Sequence, residues 1–105
     1  MITRNVMIKL KANAASRFIP LMEDEILPLL RKQKGFCGEI SFIAPERLEA
    51  VAISFWETKE HAKAYDQVKY PKVLDMLSTV AEANPTVEIF EIAHSTFHKI
   101  AAKSV

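Results

Sequence analysis

Residues Thr3 to Leu10 alternate, with Val6, Ile8 and Leu10 on one side and Asn5, Met7 and Lys9 on the other. That is the period of a half-buried strand. The period then changes. Phe18, Met22, Ile26 and Leu29 form one stripe, widened by Ile19, Leu27 and Leu30, as on the inner face of a helix. Asn13 or Ser16 is the expected N-cap, because either side chain accepts from an unpaired amide. Pro20 is tolerated in or near a first turn, whereas Pro28 falls inside the helix and predicts a kink. Arg31, Lys32 and Lys34 suit the negative end of the helix dipole, and Gly35 suits the left-handed position after it.

Phe36 to Ala44 reads as a second strand, with Ile40 and Phe42 alternating against Glu39 and Ser41. Pro45-Glu46-Arg47 makes a turn, and Glu49 to Trp56 is a third strand, paired with the second as a hairpin. Thr58 caps a helix whose inner stripe is Ala62, Tyr65 and Val68. Tyr70-Pro71 interrupts it, since a residue before proline avoids the α region. Pro71 then opens a further segment carrying Val73, Leu77 and Val80. Asn84-Pro85 ends that segment, and Thr86 to Lys99 is expected as a fourth strand. The order β-α-β-β-α-β predicts an α+β, ferredoxin-like fold with an antiparallel four-stranded sheet, in one domain over residues 1–105.

The third strand, Ala50 to Trp56, is apolar on both faces. So is the fourth, with Val87, Ile89, Ala93 and Phe97 on one face and Phe90, Ile92 and Ile100 on the other. Helices cover one face of such a sheet only. The expected partner is therefore a second copy of the chain, two sheets packing face to face as a dimeric α+β barrel.

Composition narrows the function. The net charge is +1, from 14 basic and 13 acidic residues well mixed, so no basic face points to nucleic acid. No apolar run approaches the roughly 20 residues that span a bilayer, and no leader pattern opens the chain. A single cysteine, Cys37, forms no internal disulfide and reads as a small buried residue. The expectation is a cytoplasmic protein with no membrane partner.

The run SFWETKEHAKAY, the later Tyr70-Pro71 and the segment Lys34-Gly35-Phe36-Cys37-Gly38 resemble the antibiotic biosynthesis monooxygenase domain across nearly the whole chain. The resemblance implies a dimeric α+β barrel with a pocket between sheet and helices. It also implies oxidation of quinols, polyketides or other aromatics, in many members without metal or organic cofactor. A heme-degrading branch resembles the chain at Asn5. It departs where its tryptophan aligns with Tyr65 and its iron-ligating histidine with Asp75, so heme is disfavoured.

Cofactor-free oxygenation needs an apolar pocket, a base and one or two hydrogen-bond donors. His61 is the candidate base, one turn before Tyr65 on the same helical face. An imidazole ordinarily titrates near neutral pH. The competing reading is an exposed or capping residue in the first turn. Tyr65 is a candidate donor or a core-edge tyrosine. Trp56 is a pocket wall or a structural anchor, and Tyr70 joins them as a substrate contact. Asn5, an amide among apolar neighbours, either orients a substrate or is paired within the sheet. His94 could face a pocket. Spaced four apart on a strand, His94 and His98 lie roughly 13 Å apart, too far to share a metal, and no metal site is expected. Three readings of function stand: a cofactor-independent monooxygenase on a small aromatic or quinol-like compound; a dimeric barrel of the same fold that binds a small hydrophobic ligand, or serves in stress, without chemistry; and, behind both, a heme-binding or heme-degrading protein.

Overall fold

A computed structural model of the chain describes residues 1–97. Four strands, β1 (Ile2–Lys9), β2 (Phe36–Ala44), β3 (Glu49–Trp56) and β4 (Thr86–Glu91), form one antiparallel sheet in the order β2-β3-β1-β4. Helices α1 (Ala15–Leu21), α2 (Leu27–Arg31), α3 (Lys59–Val68) and α4 (Tyr70–Leu77) complete the α+β ferredoxin-like fold expected from the hydrophobic pattern. None of them is long and apolar enough to cross a membrane.

The core lies on one face of the sheet. Ile2, Val6 and Ile8 from β1 and Ala50, Ala52 and Trp56 from β3 pack with Phe18, Met22, Ile26, Leu30, Tyr65, Val73 and Leu77 from the helices. β2 and β3 have the expected limits. Thr58 caps α3 by accepting from the His61 amide at 3.1 Å. Gly35 takes φ +83° after α2, the left-handed geometry that glycine adopts without a Cβ penalty.

Several expectations change. Neither Asn13 nor Ser16 caps α1, whose N-cap is Ala14 with no side-chain hydrogen bond. Asn13 instead turns the chain at φ +65°, a conformation asparagine tolerates better than most residues. The irregularity ahead of Pro28 is a π turn over Met22–Ile26, where the Leu27 amide donates to the Met22 carbonyl five residues back. Pro28 has no amide to donate and its ring crowds the preceding turn, so a widened turn relieves it.

The fourth strand stops at Glu91 rather than running to Lys99. β4 pairs only with β1, and Ile2 lies opposite Glu91. The ladder therefore ends with the Ile92 amide donating to Met1 at 3.0 Å. His98, Lys99 and Ile100 lie outside the described residues. Cys37 is exposed, not buried. It is the extra residue where the β2–β3 register shifts between Phe36 and Gly38, and such a bulge turns its side chain out of the ladder.

The other sheet face carries Thr3, Asn5 and Met7 with Ile40, Phe42, Val51, Ile53 and Phe55 in register beside them. Phe42 and Phe90 are each 53% exposed. Residues 92–97 cross one end of this face, against Thr3, Asn5, Ile53 and Phe55.

Candidate functional site

The sequence candidates divide between two faces of the sheet. Asn5 and His94 line a shallow recess on the face away from the helices, with Thr3, Ile53 and Phe55. There the Asn5 side-chain amide donates to Thr3 Oγ1 at 3.0 Å and to the Glu88 carbonyl at 3.3 Å. Its polar group is thus paired within the sheet.

Trp56, Tyr65 and Tyr70 lie on the helix face. Trp56 is fully buried. Its ring stacks on Tyr65 at 4.9 Å and meets Phe36 edge-on at 5.6 Å, while Nε1 donates to Ser54 Oγ at 2.8 Å. It backs the aromatic wall rather than forming its surface. Tyr65 and Tyr70, 6.2 Å apart, do line a cleft between sheet and helices.

His61 is held away from that cleft. Its Nδ1 lies 2.9 Å from Thr58 Oγ1, and its ring packs on Gly35 so tightly that a Cβ there would lie 2.5 Å from His61 Cβ. The same i, i+4 face carries both His61 and Tyr65, but the strand–helix corner claims the imidazole.

The cleft contains Arg4, Glu39, Ser54, Tyr65 and Tyr70 among Val6, Met22, Ile26, Leu30, Ala52, Val73 and Leu77. Arg4 is 1% exposed. Its Nη2 donates to Asp66 Oδ1 at 2.5 Å, and its guanidinium lies 4.0 Å from the Tyr70 ring centre and 5.2 Å from that of Tyr65. These contacts offset the cost of removing a cation from water. They leave a remainder. Arg4 Nε and the Tyr70 hydroxyl are buried with no hydrogen-bond partner among the described residues. Both residues line the same cleft, and a buried donor left unpaired is costly.

Arg4, Ser54 and Glu39 lie in one row across β1, β3 and β2. Glu39 Oε2 accepts from Ser41 Oγ at 2.5 Å, and partial burial pushes its carboxyl above the ordinary range. Burial also raises the Tyr65 and Tyr70 hydroxyls, against a smaller opposing pull from Arg4. Both stay protonated donors at neutral pH. The void is about 30 Å³, room for about two waters, so an aromatic ring enters only by moving lining side chains.

No family profile and no curated protein matches the sequence. Solved structures do match. The chain superimposes on a monooxygenase from the gene ActVA-Orf6 of Streptomyces coelicolor, in complex with nanaomycin D, with TM-score 0.77 and 11% identity over 91% of this chain and 90% of that one. SnoaB, a cofactor-independent oxygenase from Streptomyces nogalater, gives 0.72 and 13% over 90% and 95%. The NE2512 protein of unknown function from Nitrosomonas europaea gives 0.74 and 12% over 91% and 92%. The chain shares the fold of these proteins.

Within this fold the cleft lies where the resemblance placed it, between sheet and helices, but its polar groups differ from those expected. Arg4 and Glu39 were missed. Arg4 was legible by parity, because it shares the face of Val6 and Ile8. Glu39 was not, because an alternating strand is expected to bury its apolar side. β2 instead turns Glu39 and Ser41 toward the helices and Ile40 and Phe42 away.

Proposed function

We propose that the protein is a cofactor-independent monooxygenase acting on a small aromatic or quinol-like compound in the cleft of Arg4, Tyr65 and Tyr70. The observation that carries this reading is the pair of buried, unpartnered donors, Arg4 Nε and the Tyr70 hydroxyl, on residues that line a mostly apolar cleft. Such donors stabilise a phenolate or enolate oxygen in a low-dielectric site. The anion passes an electron to O₂, and the resulting pair combines as a hydroperoxide. Loss of water then leaves one oxygen atom on the ring as a carbonyl. The substrate's own C–H and O–H bonds supply the electrons. Tyr65, backed by Trp56, holds the ring. Asn5 and His94, on the opposite face, take no part at this cleft.

The apolar face of Met7, Ile40, Phe42, Val51 and Phe90 supports the second element of the proposal, a homodimer closed through the sheets. The test of function is oxygen uptake by purified, metal-stripped protein across a panel of hydroquinones and polyphenols. Uptake above autoxidation, reduced at least tenfold by Arg4→Lys or Tyr70→Phe, supports the assignment. Uptake untouched by both variants sinks it.

One observation favours the non-catalytic reading, a barrel that binds a small ligand. The void is water-sized, far below the few hundred Å³ of a typical ligand pocket. That reading predicts saturable quenching of Trp56 fluorescence with no oxygen uptake.

A further inference from the structure

A second concavity lies on the outside of the helices. One wall runs from the π turn into α2 and carries Glu25, Leu29 and Lys32; the other runs along α4 and carries Lys69, Lys72 and Met76. Within each wall the residues recur every three or four positions, the spacing of one helical face. The groove measures about 520 Å³ and shares no lining residue with the cleft. The same helical segments separate the two, because Ile26, Leu30, Val73 and Leu77 line the cleft on their inner side.

Charge is concentrated here. Three lysines meet one carboxylate, in a chain whose 14 basic and 13 acidic residues otherwise balance. None of the three is in an ion pair: those among the described residues are Arg4 with Asp66 and Arg47 with Glu49. Leu29 and Met76, packed in part against the core, give the groove an apolar floor. The lysine stems extend that apolar surface toward a positive rim. The complement of such a surface is a row of apolar side chains flanked by carboxylates at helical spacing. A small phosphate ligand fits it less well. The lining includes no arginine fork and no glycine to shape a nest of backbone amides.

We propose that this groove docks an acidic amphipathic helix of a partner protein. Apolar side chains of that helix cover Leu29 and Met76, and its carboxylates pair with Lys32, Lys69 and Lys72. Glu25 repels acid at its own point on the rim, which sets the register of the bound helix. The groove is on the helix side of the sheet, so a dimer closed through the sheets leaves it open. It is independent of any chemistry in the cleft.

The experiment is fluorescence anisotropy with the full chain and a fluorescein-labelled peptide bearing leucine on one helical face and glutamate on its flanks. Saturable binding is expected. Lys69→Glu with Lys72→Glu should weaken it about tenfold, since each rim pair is individually modest and reversal turns attraction into repulsion. Raising salt from about 0.05 M to about 0.2 M should weaken it about threefold or more. Lys11→Glu with Lys59→Glu makes the same change in net charge away from the groove and should leave binding within about twofold. Near-UV circular dichroism confirms that each variant is folded. No saturable binding, or equal losses in the two double variants, overturns the proposal. So does equal affinity for a polyglutamate chain without leucine, because the apolar floor then contributes nothing. Tighter binding of tripolyphosphate or a single-stranded oligonucleotide, with the same dependence on Lys69 and Lys72, replaces the helix with a polyanion and also overturns it.

Discussion

Gly35 closes the corner between α2 and β2 against His61, and Gly35→Ala tests that packing. Its cost has two parts. At φ +83° an L-residue loses roughly 1–2 kcal/mol through its Cβ. The new methyl also meets the His61 Cβ and Nδ1 at 2.5 Å. Rotation about χ1 moves the ring but not the His61 Cβ, so the turn or the start of α3 must shift, costing about 1–3 kcal/mol as overpacking. The sum is about 2–5 kcal/mol, measured as a lower midpoint in urea at unchanged slope. His61→Ala removes only part of the obstruction, because its Cβ remains, but the ring atoms go, and with them the Nδ1 contact with Thr58, while the Thr58 cap on the His61 amide stays. The double variant should recover at least about 1 kcal/mol relative to the sum of the singles, while the φ cost persists. Strict additivity within about 0.3 kcal/mol, or a Gly35→Ala loss below about 1 kcal/mol, would refute the close-approach argument.

Other consequences follow from the cleft and the open sheet face. Asp66→Ala leaves the buried Arg4 charge supported only by the Tyr65 and Tyr70 rings and should cost about 2–3 kcal/mol. Arg4→Met leaves Asp66, whose side chain is 46% exposed, to rehydrate, so it should cost less in the same urea titration; equal losses would contradict this asymmetry. Because burial raises the Tyr65 and Tyr70 pKa values, their contribution is intact below the unfolded value of about 10 and is lost as pH rises above it. Denaturation midpoints should therefore be level up to about pH 9 and fall as pH rises past about 10, and the fall should be shallower in Tyr65→Phe. Light scattering at micromolar concentration should give twice the 11.9 kDa chain mass, and Phe42→Glu should shift it toward the monomer. A wild-type monomer would rule out the sheet-to-sheet dimer.

Local features of the chain were set by nearby residues and could be read from them. The limits of β2 and β3 follow from alternation bounded by Gly35, Pro45 and Thr58. Pro71 stands in the first turn of α4, which begins one residue earlier than expected, at Tyr70, and Gly35 alone suits its left-handed turn. Each depends on a period or a backbone angle decided within a few residues. The parity of β1 even placed Arg4 on the buried side, although an arginine there contradicts the usual expectation for a core position.

Tertiary pairing decided the rest. β4 is cut short by the reach of β1, which its own apolar pattern does not encode. The register Glu39–Ser54–Arg4 joins residues of three strands and creates a polar row that no single segment displays. Asn5 and Tyr65, both plausible ligand contacts in the sequence, end on opposite faces because strand parity sends neighbours Arg4 and Asn5 apart. His61 shares a helical face with Tyr65 but is captured by the Gly35 corner. Sequence determined which side chains were available and which way each pointed along its own element. Only the packed sheet determined which of them meet, because that depends on contacts between residues distant in the chain.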